Sequence, residues 1–209
     1  MLKTENLNIE LLSNNHSAHL LNYYKKNKEH LEKWEPKRDS SFYTASFFKR
    51  LIIKRLKEIQ KGQSVRFVII PNESNTIIGV CNYTIEFDMK CHLGYSISEE
   101  YEGKGLMYEA LFKTNQYIFD KIDIKTIQAS IIFKNQRSNR LLERLLFKYI
   151  GKVNNYLEIN GKLEDHSIYH LNKSTHHPTN KKPRLESINL QSGYETHAGS
   201  SILNWLEGE

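Results

Sequence analysis

The sequence predicts an α/β protein whose central sheet mixes parallel and antiparallel strands, and three observations carry that prediction. Stretches rich in β-branched and aromatic residues alternate with stretches whose apolar residues recur at i, i+3, i+4 and i+7. Strands come as adjacent runs joined by turn residues before the middle of the chain and again at its end. Between these groups a strand, a helix and a strand follow closely, the order of a parallel βαβ unit. The full order read from the chain is β α α β β β α β α β β.

The elements follow in turn. TENLNIELLS alternates as a first strand, and HSAHLLNYYKKNKEHLEKW has the apolar spacing of one helix. In the loop WEPKRDSS, Pro36 keeps Glu35 out of the helical region. A second amphipathic helix runs through Phe48, Leu51, Ile52, Leu56 and Ile59 and stops at Gly62. VRFVII and TIIGVCNYTIEF are strands joined by the hairpin chemistry of PNESN, and KCHLGYSI is a third. From Met107 a helix packs Met107, Ala110, Leu111, Tyr117 and Ile118 on the sheet. TIQASIIF alternates, and NQRSNRLLERLLF puts Leu141, Leu142, Leu145 and Leu146 on one helix face. VNNYLEINGKLEDHSIYHL gives two strands joined by Asn160-Gly161, the pair favoured in two-residue type I′ turns.

At 209 residues the chain suits one domain with a substantial core. After Leu171 no period is sustained, so residues 1–172 read as the domain and 173–209 as a polar, flexible tail ending in the apolar turn SILNWLEGE. No window approaches the ~18 consecutive apolar residues of a membrane span, and the start lacks a signal-peptide layout, so the expected place is the cytoplasm without membrane contact. Cys81 and Cys91 are too few for a disulfide framework and fit no zinc spacing; they read as free thiols, with no metal expected. The formal charge is +6, and because 173–209 carry four basic and four acidic residues the whole excess falls on 1–172. Such a charge suits nucleic acid, a phosphate-bearing cofactor or an acidic partner, and does not choose among them.

The stretch SEEYEGKGLMYEAL ends a strand in a turn holding Gly103 and Gly105 and then begins a helix. Backbone amides there point one way at the positive end of the helix dipole, which attracts phosphate, and Lys104 adds charge at the rim. A plain tight turn accounts for the same glycines. The spacing is not the dinucleotide fingerprint, since Tyr108 stands where its third glycine would be.

Four ordered segments supply the context: LEKWEPKRD, GYSISEEYEGKGLMYEAL, NQRSNRLLERLLF and YLEINGKLEDHSIYHL. Together they resemble the GNAT acetyltransferase superfamily, and within it the RimJ/RimL branch of ribosomal-protein-alanine N-acetyltransferases, over residues 1–172. The resemblance implies a GNAT fold with splayed strands and acetyl-coenzyme A as co-substrate. It assigns main-chain groups near Ile97 and Ser98 to the pantetheine arm, residues Gly103, Lys104, Gly105, Leu106 and Met107 to the pyrophosphate, and Asn135 to a further cofactor contact. Ser138 becomes the hydroxyl beside the coenzyme A sulfur and a proton donor, although Asn135 and Ser138 also suit a helix cap. Trp34 and Glu35 begin a loop over the acceptor, where an acid suits a cationic amine; packing the loop down is the other use of Trp34.

Glu158 is the carboxylate candidate for a base, though counting back from Gly161 puts Leu157 where the resembling proteins carry a glutamate. Asp165 and His166 are further candidates. Two departures from the family pattern are Glu100, where Gln or Arg is usual three residues before the first glycine, and Leu146, where a glycine usually ends the helix. An α-amine, with a pKa of about 7.7 to 8.0, is partly neutral at pH 7, whereas lysine near ~10.4 is not; this favours an N-terminal acceptor on a ribosomal or other protein. Small amines such as an antibiotic, a polyamine or a biosynthetic peptide are the alternative acceptors. A non-catalytic basic ribosome- or RNA-binding module is the alternative outside enzymes, with no aromatic-basic RNA motif in its favour.

Overall fold

Successive side chains of a strand point to opposite faces, and in β3 (Ser64–Pro71) both faces are apolar. Val65, Phe67 and Ile69 enter one core while Val68 and Ile70 enter another. A sheet built on such strands must be covered on both sides, and the computed structural model, which describes residues 1–176, shows how. Helices α4 (Leu106–Lys121) and α5 (Gln136–Arg144) cover the first face through Met107, Ala110, Leu111, Ile118 and Leu142. The second is covered by α1 (Ser17–Lys26) and α3 (Ala45–Gln60) through Leu20, Tyr23, Phe48 and Ile52. Each fully buried ring such as Phe48 or Phe67 contributes about 1.5–3 kcal/mol.

The eight strands lie in the order β1-β2-β3-β4-β5-β6-β8-β7. Beside β3 these are β1 (Leu2–Lys3), β2 (Leu7–Leu11), β4 (Gly79–Ile85), β5 (Lys90–Ile97), β6 (Thr126–Ile132), β7 (Lys148–Ile159) and β8 (Lys162–Asn172). The β5–β6 pair, joined across α4, is parallel and the other pairs are antiparallel. The mixed sheet expected from the element order is therefore the one observed. Cys81 on β4 and Cys91 on β5 are buried free thiols, and burial pushes the Cys81 thiol up to about 12. The β7–β8 hairpin turns at Asn160 and Gly161, both at positive φ (53° and 78°), as a type I′ turn requires.

Three differences from the sequence reading have local causes. The single helix expected over HSAHLLNYYKKNKEHLEKW breaks into α1 and α2 (Lys28–Leu31) at Asn27. Its buried amide donates to the Tyr23 carbonyl at 2.9 Å and to Ser98 Oγ at 3.0 Å, and accepts from the Glu99 amide at 3.3 Å, tying the break to the end of β5. At the C-terminal end, β7 begins at Lys148, earlier than the Val153 expected, and carries a bulge between Val153 and Leu157 with Asn155 at φ 51°. Beyond the expected domain boundary, α6 (Lys173–His176) adds one turn whose His176 ring lies 5.6 and 5.4 Å from those of Phe112 and Phe119. Readings made for 177–209, the apolar turn SILNWLEGE among them, lie outside the described residues.

Candidate active site

Strands β5 and β6 pair from Lys90 with Thr126 to Leu93 with Ala129 and then part company. On its other side β5 stays paired with β4 as far as Ile97, and β6 stays paired with β8 as far as Ile132. The sheet thus opens as a V between two strands that are each held firmly by an outer neighbour. Main-chain groups alternate sides along a strand, and the Ser98 amide donates back to the Ile78 carbonyl at 2.7 Å. By that alternation the peptide groups of Tyr95 and Ile97 face the opening. A cleft of about 810 Å³ lies there.

At one end of the V, a short 3-10 turn (Glu99–Tyr101) leads into Gly103 and Gly105, with φ of 72° and 78°. No heavy atom lies within 4 Å of a Cβ placed on either, so conformation rather than crowding calls for glycine. Gly105 is the residue preceding the first turn of α4, and no side chain caps that turn. The free amides of a helix start meet the cleft at Gly103, Gly105, Leu106 and Met107, which all line it. Lys104 stands outside the lining with its ammonium 5.2 Å from the Tyr101 ring centre. Glu100 is also outside and is paired at 2.8 Å with Lys26 of α1, so the acid that departs from the family pattern is neutralised away from the turn.

Across the cleft, α5 presents Arg137, Arg140 and Arg144, all lining it. Arg137 pairs with Glu102, and the Arg144 guanidinium lies 4.7 Å from the Tyr108 ring centre. Sequence reading missed these three arginines as site residues, although their i, i+3, i+7 spacing put them on one face of the predicted helix. Amides and guanidiniums together make this end of the cleft suited to phosphates.

The cleft also gathers the groups that can handle a proton. Asn135 caps α5, its Oδ1 accepting the Ser138 amide at 3.1 Å, and both residues line the cleft. Tyr95 reaches across the V with its hydroxyl 3.5 Å from the Ser138 carbonyl. Trp34 and Glu35 also line the cleft. Glu35 is 5% exposed; its Oε2 is 3.0 Å from Arg38, and its Oε1 is buried without a protein partner. His92 and His166 lie in the wall, with His92 Nε2 3.1 Å from Ser130 Oγ and His166 Nδ1 3.0 Å from the Glu164 carbonyl. A carbonyl can only accept, so His166 Nδ1 carries the proton and Nε2 the lone pair. Burial drives both histidines below the usual imidazole range, His92 to about 4 with His166 adding to its shift, so both are neutral at pH 7. His30, also lowered by burial, sits 3.4 Å from Glu102 and 3.7 Å from Glu99.

Three expected site residues lie outside the lining: Lys104, turned onto the Tyr101 ring, and two more. Ser98 does not line the cleft: its amide serves β4 and its hydroxyl serves Asn27, because it sits one step out of phase with Ile97. Glu158 is exposed and outside the lining, since its neighbours Leu157 and Ile159 take the inward positions of β7 and Leu157 is the residue that forms the wall. Asp165 faces outward to Lys152 at 2.7 Å and the Asn155 amide at 3.0 Å. Among the described residues no His, Cys, Asp or Glu cluster could hold a metal, and no helix is long and apolar enough to cross a membrane.

Comparison with known proteins gives a consistent set of relatives. The family model described as acetyltransferase (GNAT) domain matches residues 6–148. The [ribosomal protein uS5]-alanine N-acetyltransferase of Escherichia coli (strain K12) is 35% identical over 172 residues, covering 80% of this chain and 88% of the relative. Among solved structures, the ribosomal-protein-S5-alanine acetyltransferase from Vibrio fischeri superposes with a TM-score of 0.79 at 29% identity, over 85% of this chain and 98% of that one. RimJ of Mycobacterium smegmatis, solved in complex with CoA-disulfide, gives a TM-score of 0.74 at 20% identity over 81% and 83%.

Proposed function

Since the chain belongs to the GNAT acetyltransferase family, we propose that it acetylates the N-terminal α-amino group of a ribosomal protein, using acetyl-coenzyme A. The observation that carries this reading is the V between β5 and β6, closed at one end by an uncapped helix start and three arginines. An opened strand edge offers peptide groups to an amide-bearing arm, and the basic end suits its phosphates. The co-substrate supplies an acyl thioester. The acceptor supplies a nucleophilic nitrogen. Work on a ribosomal protein places the enzyme in the cytoplasm.

The residues divide the chemistry between them. Gly103, Gly105, Leu106 and Met107 hold the diphosphate with main-chain amides, and the Tyr95 and Ile97 peptide groups hold the arm and polarise the thioester carbonyl. Glu35 Oε1, an acceptor with no partner in a nearly closed position, attracts the incoming ammonium under Trp34. Once the ammonium has lost one proton to water, the neutral nitrogen bonds to the carbonyl carbon and His166 Nε2 takes the second proton. As the C–S bond breaks, the Ser138 hydroxyl passes its proton to the departing thiolate and takes another from water, and the amide is released. An α-amine near ~7.7–8.0 needs only so weak a base.

Calorimetric titration with acetyl-coenzyme A, followed by mass spectrometry of peptides bearing ribosomal-protein N-termini, tests the reading in two steps. Binding followed by acetylation at the peptide α-amine is expected. Turnover of polyamines with none of peptides removes the proposed acceptor, and absence of binding at millimolar co-substrate removes the enzyme itself.

A further inference from the structure

A second cavity, of about 50 Å³, lies on the opposite face of the sheet from α4 and α5, between α1, α3, β3 and β4. Most of its wall is apolar, from Leu20, Phe48, Ile52, Val68 and Val80. Into this apolar setting the fold introduces the guanidiniums of Arg38, Arg55 and Arg66 together with Asn82. Arg66 is 5% exposed on the inner strand β3. One carboxylate oxygen, Glu58 Oε2, serves it at 3.0 Å and serves Arg55 as well at 3.2 Å. The Arg66 Nε is buried with no partner at all. An orphaned donor costs about 1–3 kcal/mol, and more when charged, so a fold that keeps it beside an open cavity leaves room for its acceptor.

We propose that this cavity binds a small monovalent anion, of the size of chloride or acetate, against Arg66 Nε and the neighbouring guanidiniums. Water could accept one hydrogen bond there, but it cannot offset charge. The charge matters because burial, with the nearby Arg55 cation next in effect, lowers the Arg66 guanidinium to about 10. An anion opposes both causes at once. The volume limits the occupant: one water needs roughly 10–15 Å³ measured in this way, so the space admits a few heavy atoms and excludes a sugar acid or a nucleotide. The site is separate from the acetyl-transfer cleft, yet it communicates with it: Arg38 lines this cavity and is bonded to Glu35, which lines the other.

The test uses the full chain at constant ionic strength, replacing sodium gluconate, too large for the cavity, by sodium chloride or sodium acetate. The expected result is a saturable rise in melting temperature with chloride or acetate and none with gluconate. Crystals soaked in bromide are expected to show an anomalous peak beside Arg66 Nε. Arg66→Gln should remove the anion dependence; should that variant not fold, the bromide peak in the unaltered protein still decides. Melting curves that coincide in all three salts, with no bromide peak at Arg66, overturn the proposal.

Discussion

His166 and Glu158 show how one register step decides a role. Both are on the final hairpin, but Glu158 alternates outward with its neighbours Leu157 and Ile159 inward, while His166 sits 4% exposed in the wall of the cleft. Glu158 was the carboxylate candidate from the sequence, although counting back from Gly161 put Leu157 at the position where resembling proteins carry a glutamate, and it is Leu157 that lines the cleft. Counting could not promote His166, because the bond to the Glu164 carbonyl that leaves Nε2 free depends on a rotamer, not on spacing. If His166 is the base, its substitution has a distinct signature. Burial holds its pKa below 6.5, so the neutral base form is complete above that pH and is lost as pH falls. The acceptor amine deprotonates higher, through about 7.7–8.0. The unaltered enzyme should therefore lose kcat/KM in two limbs, one at the amine and one below 6.5. His166→Gln should lower kcat by about 100-fold, the low end for general-base catalysis, and should erase the acid limb while keeping the amine limb and the KM for acetyl-coenzyme A. A variant with normal kcat and an unchanged acid limb would leave His166 a wall residue only.

At the scale of elements, the ends of helices were harder to read than their existence. The apolar spacing of α3, α4 and α5 placed all three, because each buries one face on the sheet, but Leu146, expected on the buried face of α5, lies past its end and is exposed. The break at Asn27 was not legible: its partners, Ser98 and Glu99, lie far along the chain. The end of α5 was half legible. Leu146 stands where resembling sequences carry glycine, and a different termination was the natural expectation. Instead Leu146 adopts the left-handed conformation itself, at φ 66°. The Phe147 amide donates to the Leu142 carbonyl and the Leu146 amide to the Glu143 carbonyl, both at 3.0 Å. This is the bond pair of a Schellman ending, so the helix ends as a glycine would end it, with the Cβ strain retained. That strain is worth about 1–2 kcal/mol. The Leu146 side chain is 60% exposed, so little packing is lost on removing it. Leu146→Gly should therefore stabilise the fold by about 1 kcal/mol, allowing for the glycine's extra freedom when unfolded, seen as a higher midpoint in urea at unchanged slope. A lower midpoint would mean that Leu146 contributes packing that outweighs its strain.

For the whole molecule, the sequence made the layers and the mixed sheet legible but not which faces meet across a cleft. The helix period put Arg137, Arg140 and Arg144 together; the V that they face exists because β5 and β6 each follow an outer neighbour. The same central sheet stores a pH dependence that belongs to the fold as a unit. His92 on β5 and His166 and His170 on β8 are all held below the usual imidazole pKa by burial. The unfolded chain returns each to about 6.5. Folded stability from these groups is thus complete above 6.5, and it falls with pH because the unfolded chain then takes up protons that the folded sheet refuses. For His92, lowered to about 4, the loss extends across pH 6.5 to 4 and amounts to at most about 3 kcal/mol at 1.36 kcal/mol per unit. Carboxylates held low, such as Asp39 by Ser41 and Asp165 by Lys152, lose their own contribution below about pH 5, so the decline between 6.5 and 5 is the part that reports the histidines. Melting temperatures should accordingly hold steady from pH 8 to 7 and decline from 6.5 toward 4. His92→Gln keeps a hydrogen-bonding group for Ser130 without titrating, so its decline should be visibly shallower. If the two proteins lose stability in parallel across that window, His92 is not the group through which acid reaches the fold.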